Sequence, residues 1–214
     1  AAREELGDVA TGLTRRRQEA AASLGGEVEA ILPQLGMQGG RFEAVLLPQA
    51  DPGPSGGEEI EFRVSLNRGF EPRPLAQVAS GGELSRVMLA LKTVLARQDA
   101  VPTLVFDEVD AGVGGSVALQ VGDKMREVAR SHQVFAITHL PQIASRAQTH
   151  LLVRKGLRDG VTTTEVDLLD PEARVREVAR MLGGDPESEV SRRHAVELLE
   201  RADGSTPAVS DGGR

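Results

Sequence analysis

Three short stretches place chemistry-bearing residues at the ends of apolar runs. In "TLVFDE" a short apolar strand delivers Asp107 and Glu108 to its carboxyl end, the end at which α/β proteins hold ligands. In nucleotide hydrolysis the first acid of such a pair supports Mg²⁺ and the second orients and deprotonates the attacking water. The same two residues could equally cap a loop and face solvent. Further on, "FAITHLPQIA" sets His139 just past the next apolar strand, where an imidazole can donate to a phosphate oxygen, and Pro141 opens the following helix at a permitted position. Upstream, Ser80-Gly81-Gly82-Glu83 begins a helix with a regular apolar stripe. Inside a helix each glycine costs about 1 kcal/mol relative to alanine. Placed at the first turn, glycines leave backbone N–H groups and the positive end of the helix dipole open to an anion. Ser80 also suits an N-cap, with Glu83 three residues later as in a capping box. Capping explains one glycine; a phosphate explains two, so Gly82 is expected to admit the close approach of a phosphate rather than to serve capping.

The elements that must hold these residues alternate. A helix over 82–97 precedes the strand at 103–107, a helix over 115–131 precedes "VFAIT", and a short helix near 141–147 precedes "HLLVRK". Continuous apolar strands between helices predict a mostly parallel sheet covered on both faces. "GVTTTEVDLL" adds a strand, helices follow over about 171–182 and 188–201, and the polar residues after them read as a disordered tail. Before this α/β part, residues 4–32 carry an apolar stripe of Leu6, Ala10, Leu13, Ala20, Leu24, Val28 and Ile31. That stripe suits either the last turns of a coiled coil or an ordinary surface helix, interrupted at Gly25-Gly26 and ended by Pro33. "RFEAVLLP" and "EEIEFRVSLNR" predict an antiparallel strand pair, the second alternating Ile60, Phe62, Val64 and Leu66 with polar residues, and "QADPGPSGGE" between them reads as a loop. No internal repeat is evident. The expected divisions are a helix over 1–35, an α/β lobe over 36–201 and a tail over 202–214.

Composition narrows the function classes. The 214 residues with 40% hydrophobic content can build a packed core. There is no cysteine, which excludes disulfides and thiolate metal sites and suits a reducing cytoplasm. No run reaches the roughly 18 apolar residues of a membrane span, and the first residues lack an export signal. A net charge of -7 argues against strong nonspecific DNA binding by the chain alone, because phosphate contacts need clustered Lys and Arg. The run "TRRRQEA" around Arg15 to Arg17 is the one candidate patch, and it equally fits a solvated helix face.

Taken together, "SGGELSR" resembles the signature of ABC-type ATPases, "TLVFDE" their Walker B strand, "VDAGVGG" the loop after it and "ITH" their switch histidine. More narrowly, "VASGGELSRVMLALKTVLA", "FDEVDAGVGGSVA", "THLPQIAS" and "ARMLGG" resemble the RecN family of DNA double-strand-break repair ATPases, related to the SMC proteins, over about residues 27–201. Members of that family carry a phosphate loop before a coiled coil, and this sequence has none: Lys92, Lys124 and Lys155 all lack the preceding glycine. The resemblance therefore implies the carboxy-terminal lobe of a split ABC/SMC-type P-loop ATPase head, with the end of the returning coiled coil.

By the same resemblance two heads sandwich ATP. Ser80, Gly81, Gly82 and Glu83 contact the nucleotide of the opposite head, Asp107 supports Mg²⁺, Glu108 is the catalytic base and His139 senses the γ-phosphate. Asp110 communicates across the dimer, and Arg86 either joins the phosphate field or pairs with Glu83. The implied partners are the amino-terminal lobe with Walker A, a second head, and DNA through the full-length protein, in a bacterial cytoplasm at the nucleoid. Without Walker A the chain alone is expected to be inactive. The alternatives are an ABC transporter subunit, disfavoured by Glu83 where transporters usually have Gln, and a non-catalytic dimerisation or DNA-tethering module, disfavoured by intact Glu108 and His139.

Overall fold

The computed structural model describes residues 2–78, 80–158 and 161–202; of the expected tail, 202–214, all but Ala202 lies outside them. The chain divides into two compact units, Ala1–Val113 with Glu127–Ile137, and Gly114–Arg126 with Thr138–Arg214.

In the first unit, α1 (Ala2–Ile31) runs through Gly25-Gly26 without the expected interruption. The reason is packing: a Cβ at Gly25 would lie 3.2 Å from the Phe42 carbonyl oxygen, so the missing side chain lets the helix close on the next strand. Pro33 falls in the first turn of a short 3₁₀ segment, Leu32–Leu35, closed by Gly36 at φ 81°. The strands β1 (Arg41–Gly53) and β2 (Gly56–Ser65) pair antiparallel, with Phe42 opposite Val64 and Leu46 opposite Ile60. Phe42, Val28, Leu32 and Leu35 form part of a buried core, and the Glu29 carboxylate accepts the Phe42 N–H at 3.0 Å. Most of "QADPGPSGGE" belongs to the strands rather than to a loop. After an irregularity between Pro48 and Gly53 the ladder closes at Gly53 and Gly56. The helix holds this tip. Arg17 Nη1 donates to Glu58 at 3.0 Å and Nη2 to the Ser55 carbonyl at 2.6 Å, and Thr14 also donates to Glu58. The "TRRRQEA" run is thereby corrected: Arg17 is an internal tie, and only Arg15 and Arg16 face solvent. A two-residue strand, β3 (Arg73–Pro74), joins the outer side of β2.

The α/β core of this unit begins at α2 (Gly81–Leu95), whose Val87, Leu89, Ala90 and Leu91 are buried. A Lys92–Asp99 ion pair and the Val101 N–H donating to Asp99 at 3.0 Å fix the turn into β4 (Thr103–Phe106). Past α3 (Gly115–Val128) the chain returns as β5 (Gln133–Ala136), parallel to β4 with Phe106 opposite Ala136. Leu104 and Phe106 are buried, whereas Val105 is 65% exposed and Phe135 and Ile137 also face outward. One face of this pair is covered, not the two that its continuous apolar sequence predicts.

In the second unit α4 is a single turn, Pro141–Ala144. The strands β6 (Leu151–Arg158) and β7 (Val161–Leu168) come next. They form an antiparallel hairpin of their own. The α/β class holds, but among the described residues parallel pairing is confined to β4–β5. The short stretch between β6 and β7 explains this: a parallel return needs a crossover of a dozen or more residues. α5 (Pro171–Met181) and α6 (Glu189–Ala202) pack through Val178, Ala179 and Ala195. Asp170 caps α5 by accepting the Ala173 N–H at 2.8 Å. Arg174 turns back to donate to the Ser145 carbonyl at 3.1 Å and to the Ala147 carbonyl.

Candidate functional site

The amino terminus of α2 and the end of β4 meet within the first unit. Ser80 adopts an extended conformation and its hydroxyl accepts the Glu83 N–H at 3.4 Å, so the expected N-cap is present. The two glycines then differ. Gly81 is exposed, and a Cβ there would run into the Glu108 carboxylate alone. Gly82 is buried, and a Cβ would lie 2.7 Å from that of Ala111 and 2.8 Å from the Glu108 carbonyl oxygen. Packing therefore demands glycine at position 82 whatever else it does, which corrects the expectation that an anion alone explains it. Gly81 keeps the open approach.

Asp107 and Glu108 emerge from β4 on a tight turn. Asp107 Oδ1 accepts the Glu108 N–H at 2.8 Å, and the Glu108 carbonyl accepts the Ala111 N–H at 2.9 Å. Glu108 has φ 55°, the sole positive φ among the described non-glycine residues. A non-glycine residue in that region is held there by its surroundings and occurs often at functional sites. Both acids are exposed, while Val109 and Asp110 are buried. The Glu108 carboxylate lies beside Gly81, near the positive end of the α2 dipole.

Arg86 is turned into its own unit. It is 5% exposed, and Nη1 donates to the Ala111 carbonyl at 2.7 Å and to the Val109 carbonyl at 3.3 Å. Burial lowers its pKa and the charge of Glu83 opposes that shift; a guanidinium remains protonated nonetheless. Its sequence signal is register: Gly82, Arg86 and Ala90 are four residues apart and share one buried helix face. An arginine amid a core-facing stripe marks a group with an internal partner.

Ser80, Gly81, Gly82, Glu83, Asp107, Glu108 and Asp110 thus fall in one compact unit. His139 falls in the other, exposed, between Thr138, whose hydroxyl accepts the Leu140 N–H at 3.0 Å, and the start of α4. Among the described residues no cluster of three His, Asp or Glu side chains could hold a metal. Asp107 fits a Mg²⁺ that brings its own phosphate and water ligands, since such ions take only one or two carboxylates from the protein.

No protein-family model matches the chain. It is 46% identical over 214 residues to the DNA repair protein RecN of Streptomyces coelicolor, covering 94% of this chain and 37% of that protein. It is 44% identical over 218 residues to RecN of Mycobacterium tuberculosis, covering 92% of this chain and 37% of that protein. The chain spans about a third of the length of these relatives. Among solved structures, the Smc head domain with a coiled coil and joint from Pyrococcus yayanosii matches with TM-score 0.52 at 23% identity, over 88% of this chain and 30% of that one. The Smc head domain with an extended coiled coil bound to the C-terminal domain of ScpA, from Pyrococcus furiosus, matches with TM-score 0.51 at 24% identity, over 77% of this chain and 39% of that one. The resemblance to RecN holds across nearly the whole chain, and the fold is that of an SMC-type head lobe.

Proposed function

We propose, from that likeness to RecN, that the chain is the C-terminal part of an SMC-like ATPase head that acts in recombinational DNA repair, with α1 as the end of a coiled coil and residues 36–201 as the lobe. The observation that carries this reading is the meeting of a capped, glycine-led helix start with an Asp-Glu turn at a strand end, held together by Arg86. ATP with Mg²⁺, when bound, supplies the phosphoanhydride to be hydrolysed. Ser80 and Gly81 offer a hydroxyl and open backbone N–H groups to the phosphate of an opposite head, with Gly82 and Glu83 completing that turn. Asp107 supports the ion, Glu108 accepts the proton of the attacking water, and His139 and Asp110 report nucleotide state. A Walker A lobe of a longer protein supplies the phosphate cradle that this sequence lacks. It also covers the apolar face of Val105, Phe135 and Ile137. Opening and closing of two such heads would then be coupled to holding broken DNA.

No helix among the described residues is long and apolar enough to cross a membrane, and cytoplasmic, nucleoid-associated work fits the reading. The transporter alternative fits less well, given Glu83 and the RecN likeness over most of the chain.

The test uses the complete RecN-like protein. Glu108→Gln keeps side-chain size and removes the proton acceptor, so turnover should fall by about 10²- to 10⁴-fold while ATP-dependent head dimers persist in sedimentation. Wild-type hydrolysis by this variant would overturn the assignment of the base. Phosphate release by the 214-residue chain alone should stay at background.

A further inference from the structure

We propose that Arg86 is a positioning residue that ties the first turns of α2 to the loop carrying Glu108 and Asp110, so that a phosphate contact at Ser80 and Gly81 in one nucleotide site sets the base of another. The proposal rests on the ATPase reading above and adds to it a named mechanical link between two sites.

The link is built from one face of one helix. Gly82 and Arg86 stand one turn apart, about 5.4 Å along the axis, and both press on the same loop. At Gly82 the loop's backbone approaches so closely that no side chain fits. At Arg86 the guanidinium holds the carbonyls of Val109 and Ala111. The loop segment from Glu108 to Ala111 is therefore gripped along its length. Within it Glu108 keeps the positive φ that aims its carboxylate, and the Ala111 N–H closes the turn on the Glu108 carbonyl. An internal hydrogen bond alone leaves such a turn free to swing; two bonds from a buried cation fix it to the helix.

The cost of this arrangement indicates its purpose. Arg86 buries a charge, and its Nε lies buried without a hydrogen-bond partner. A methionine of similar length would fill the space without that desolvation. What methionine cannot supply is a rigid donor to two carbonyls at once. Through Nη1 the guanidinium is turned to the loop of its own unit. Movement of α2 and reorientation of Glu108 are thereby one movement.

The experiment compares wild type, Arg86→Met and Arg86→Gln in the complete RecN-like protein, and the same variants in this chain. In the complete protein Arg86→Met should lower kcat by about 10- to 100-fold, as expected for a misplaced reacting group. KM for ATP should stay within about two-fold and nucleotide should still bind one per head. Sigmoidal dependence of rate on ATP in wild type should become hyperbolic in the variant. In the chain alone, hydrogen exchange at the Ala111 and Val113 amides should speed up, while α5 and α6 exchange as in wild type. Arg86→Gln, able to hold one carbonyl, should fall between, and it decides the matter on the same readings if Arg86→Met does not fold. Unchanged kcat, or a raised KM with kcat intact, would overturn the proposal, the second outcome indicating a phosphate ligand. Unaltered exchange at Ala111 would also overturn it. If Glu108→Gln hydrolyses normally, the base assignment fails, and the exchange experiment still reads the link separately.

Discussion

The strand pairs β4–β5 and β6–β7 both leave apolar side chains exposed, and they have different fates. β4–β5 is parallel and short, extended at its ends by the Gln133 N–H on the Pro102 carbonyl at 2.9 Å and the Ile137 N–H on the Phe106 carbonyl at 3.0 Å. It buries Leu104 and Phe106 on one face and leaves Val105 and Phe135 outward. β6–β7 is antiparallel and longer. Leu151 faces Leu168 and Val153 faces Val166 across it, so these four, with Leu157, share one exposed apolar face. β4 runs straight into Asp107 and Glu108, whose turn meets the amino terminus of α2, whereas β7 leads through Asp170 into the helix that follows it in the chain, α5. The difference teaches that apolar content marks surfaces that need a cover, whereas chemistry is marked by the residues just past the strand's carboxyl end. At β4 that turn is over-determined by Gly82, Arg86 and Asp107; β6 is paired with its own return strand.

The strongest way to break this contrast is to perturb the contact at the β4 end. Gly82→Ala forces a methyl group against the Ala111 Cβ and the Glu108 carbonyl, and overpacking of that kind typically costs about 1–3 kcal/mol. Gly81→Ala meets only the flexible end of Glu108, and the gain in helix propensity, up to about 1 kcal/mol, offsets it. Urea midpoints of the two variants should separate clearly, Gly82→Ala being the less stable. Equal midpoints would mean that the loop yields easily and is not held as described.

A smaller effect sharpens the other half of the contrast. On the exposed β4–β5 face, Val105→Thr in the chain alone should change stability by no more than about 0.5 kcal/mol, as for most surface substitutions. In the complete protein, with a covering lobe over that face, the same hydroxyl is desolvated and should cost about 1–3 kcal/mol. Identical small costs in both settings would show that nothing covers this face.

The legibility of the chain divides along the same line. Ser80, Asp107, Glu108 and the α2 stripe were readable because capping, strand-end acids and helical periodicity are local signals. So were α5 and α6. Gly25-Gly26 and Gly82 were misread because local rules count glycine as a breaker or a phosphate neighbour, while its use at Gly25 and Gly82 is close approach to a distant backbone, visible only after folding. The β1–β2 tip was misread for a related reason: Pro and Gly suggested a loop, and the tie to Arg17 and Glu58 that orders it spans some forty residues of sequence. Arg86 was readable as an anomaly in register and not as a bond, since its acceptors are carbonyls, which every residue possesses. The parallel sheet was over-extended because an apolar strand does not announce its neighbour's direction.

The smallest expected effect lies in the second unit, beside the hairpin, and concerns pH. His150 immediately precedes β6 and is half-buried; its Nδ1 is enclosed without a hydrogen-bond partner. Burial lowers its pKa below the usual histidine value, the positive charge of Arg174 lowers it further, and Glu177 partly opposes both. In the folded chain His150 is therefore harder to protonate than in the unfolded one. As pH falls through the ordinary histidine range, near 6.5, the unfolded chain binds a proton that the folded chain refuses, and stability declines. The decline ends once pH passes below the lowered folded value, and for one proton it cannot exceed about 1.4 kcal/mol per pH unit. His150→Leu removes the titrating group and leaves a side chain in its place. The difference in urea midpoint between the variant and wild type should therefore grow in favour of the variant from pH 7.5 to about 5.5, a range that brackets the ordinary histidine pKa. Subtraction removes the other titrating groups, because they are common to both chains. A constant difference across that range would show that His150 titrates alike in both states, and that the packing at the start of β6 is looser than the burial of its ring implies.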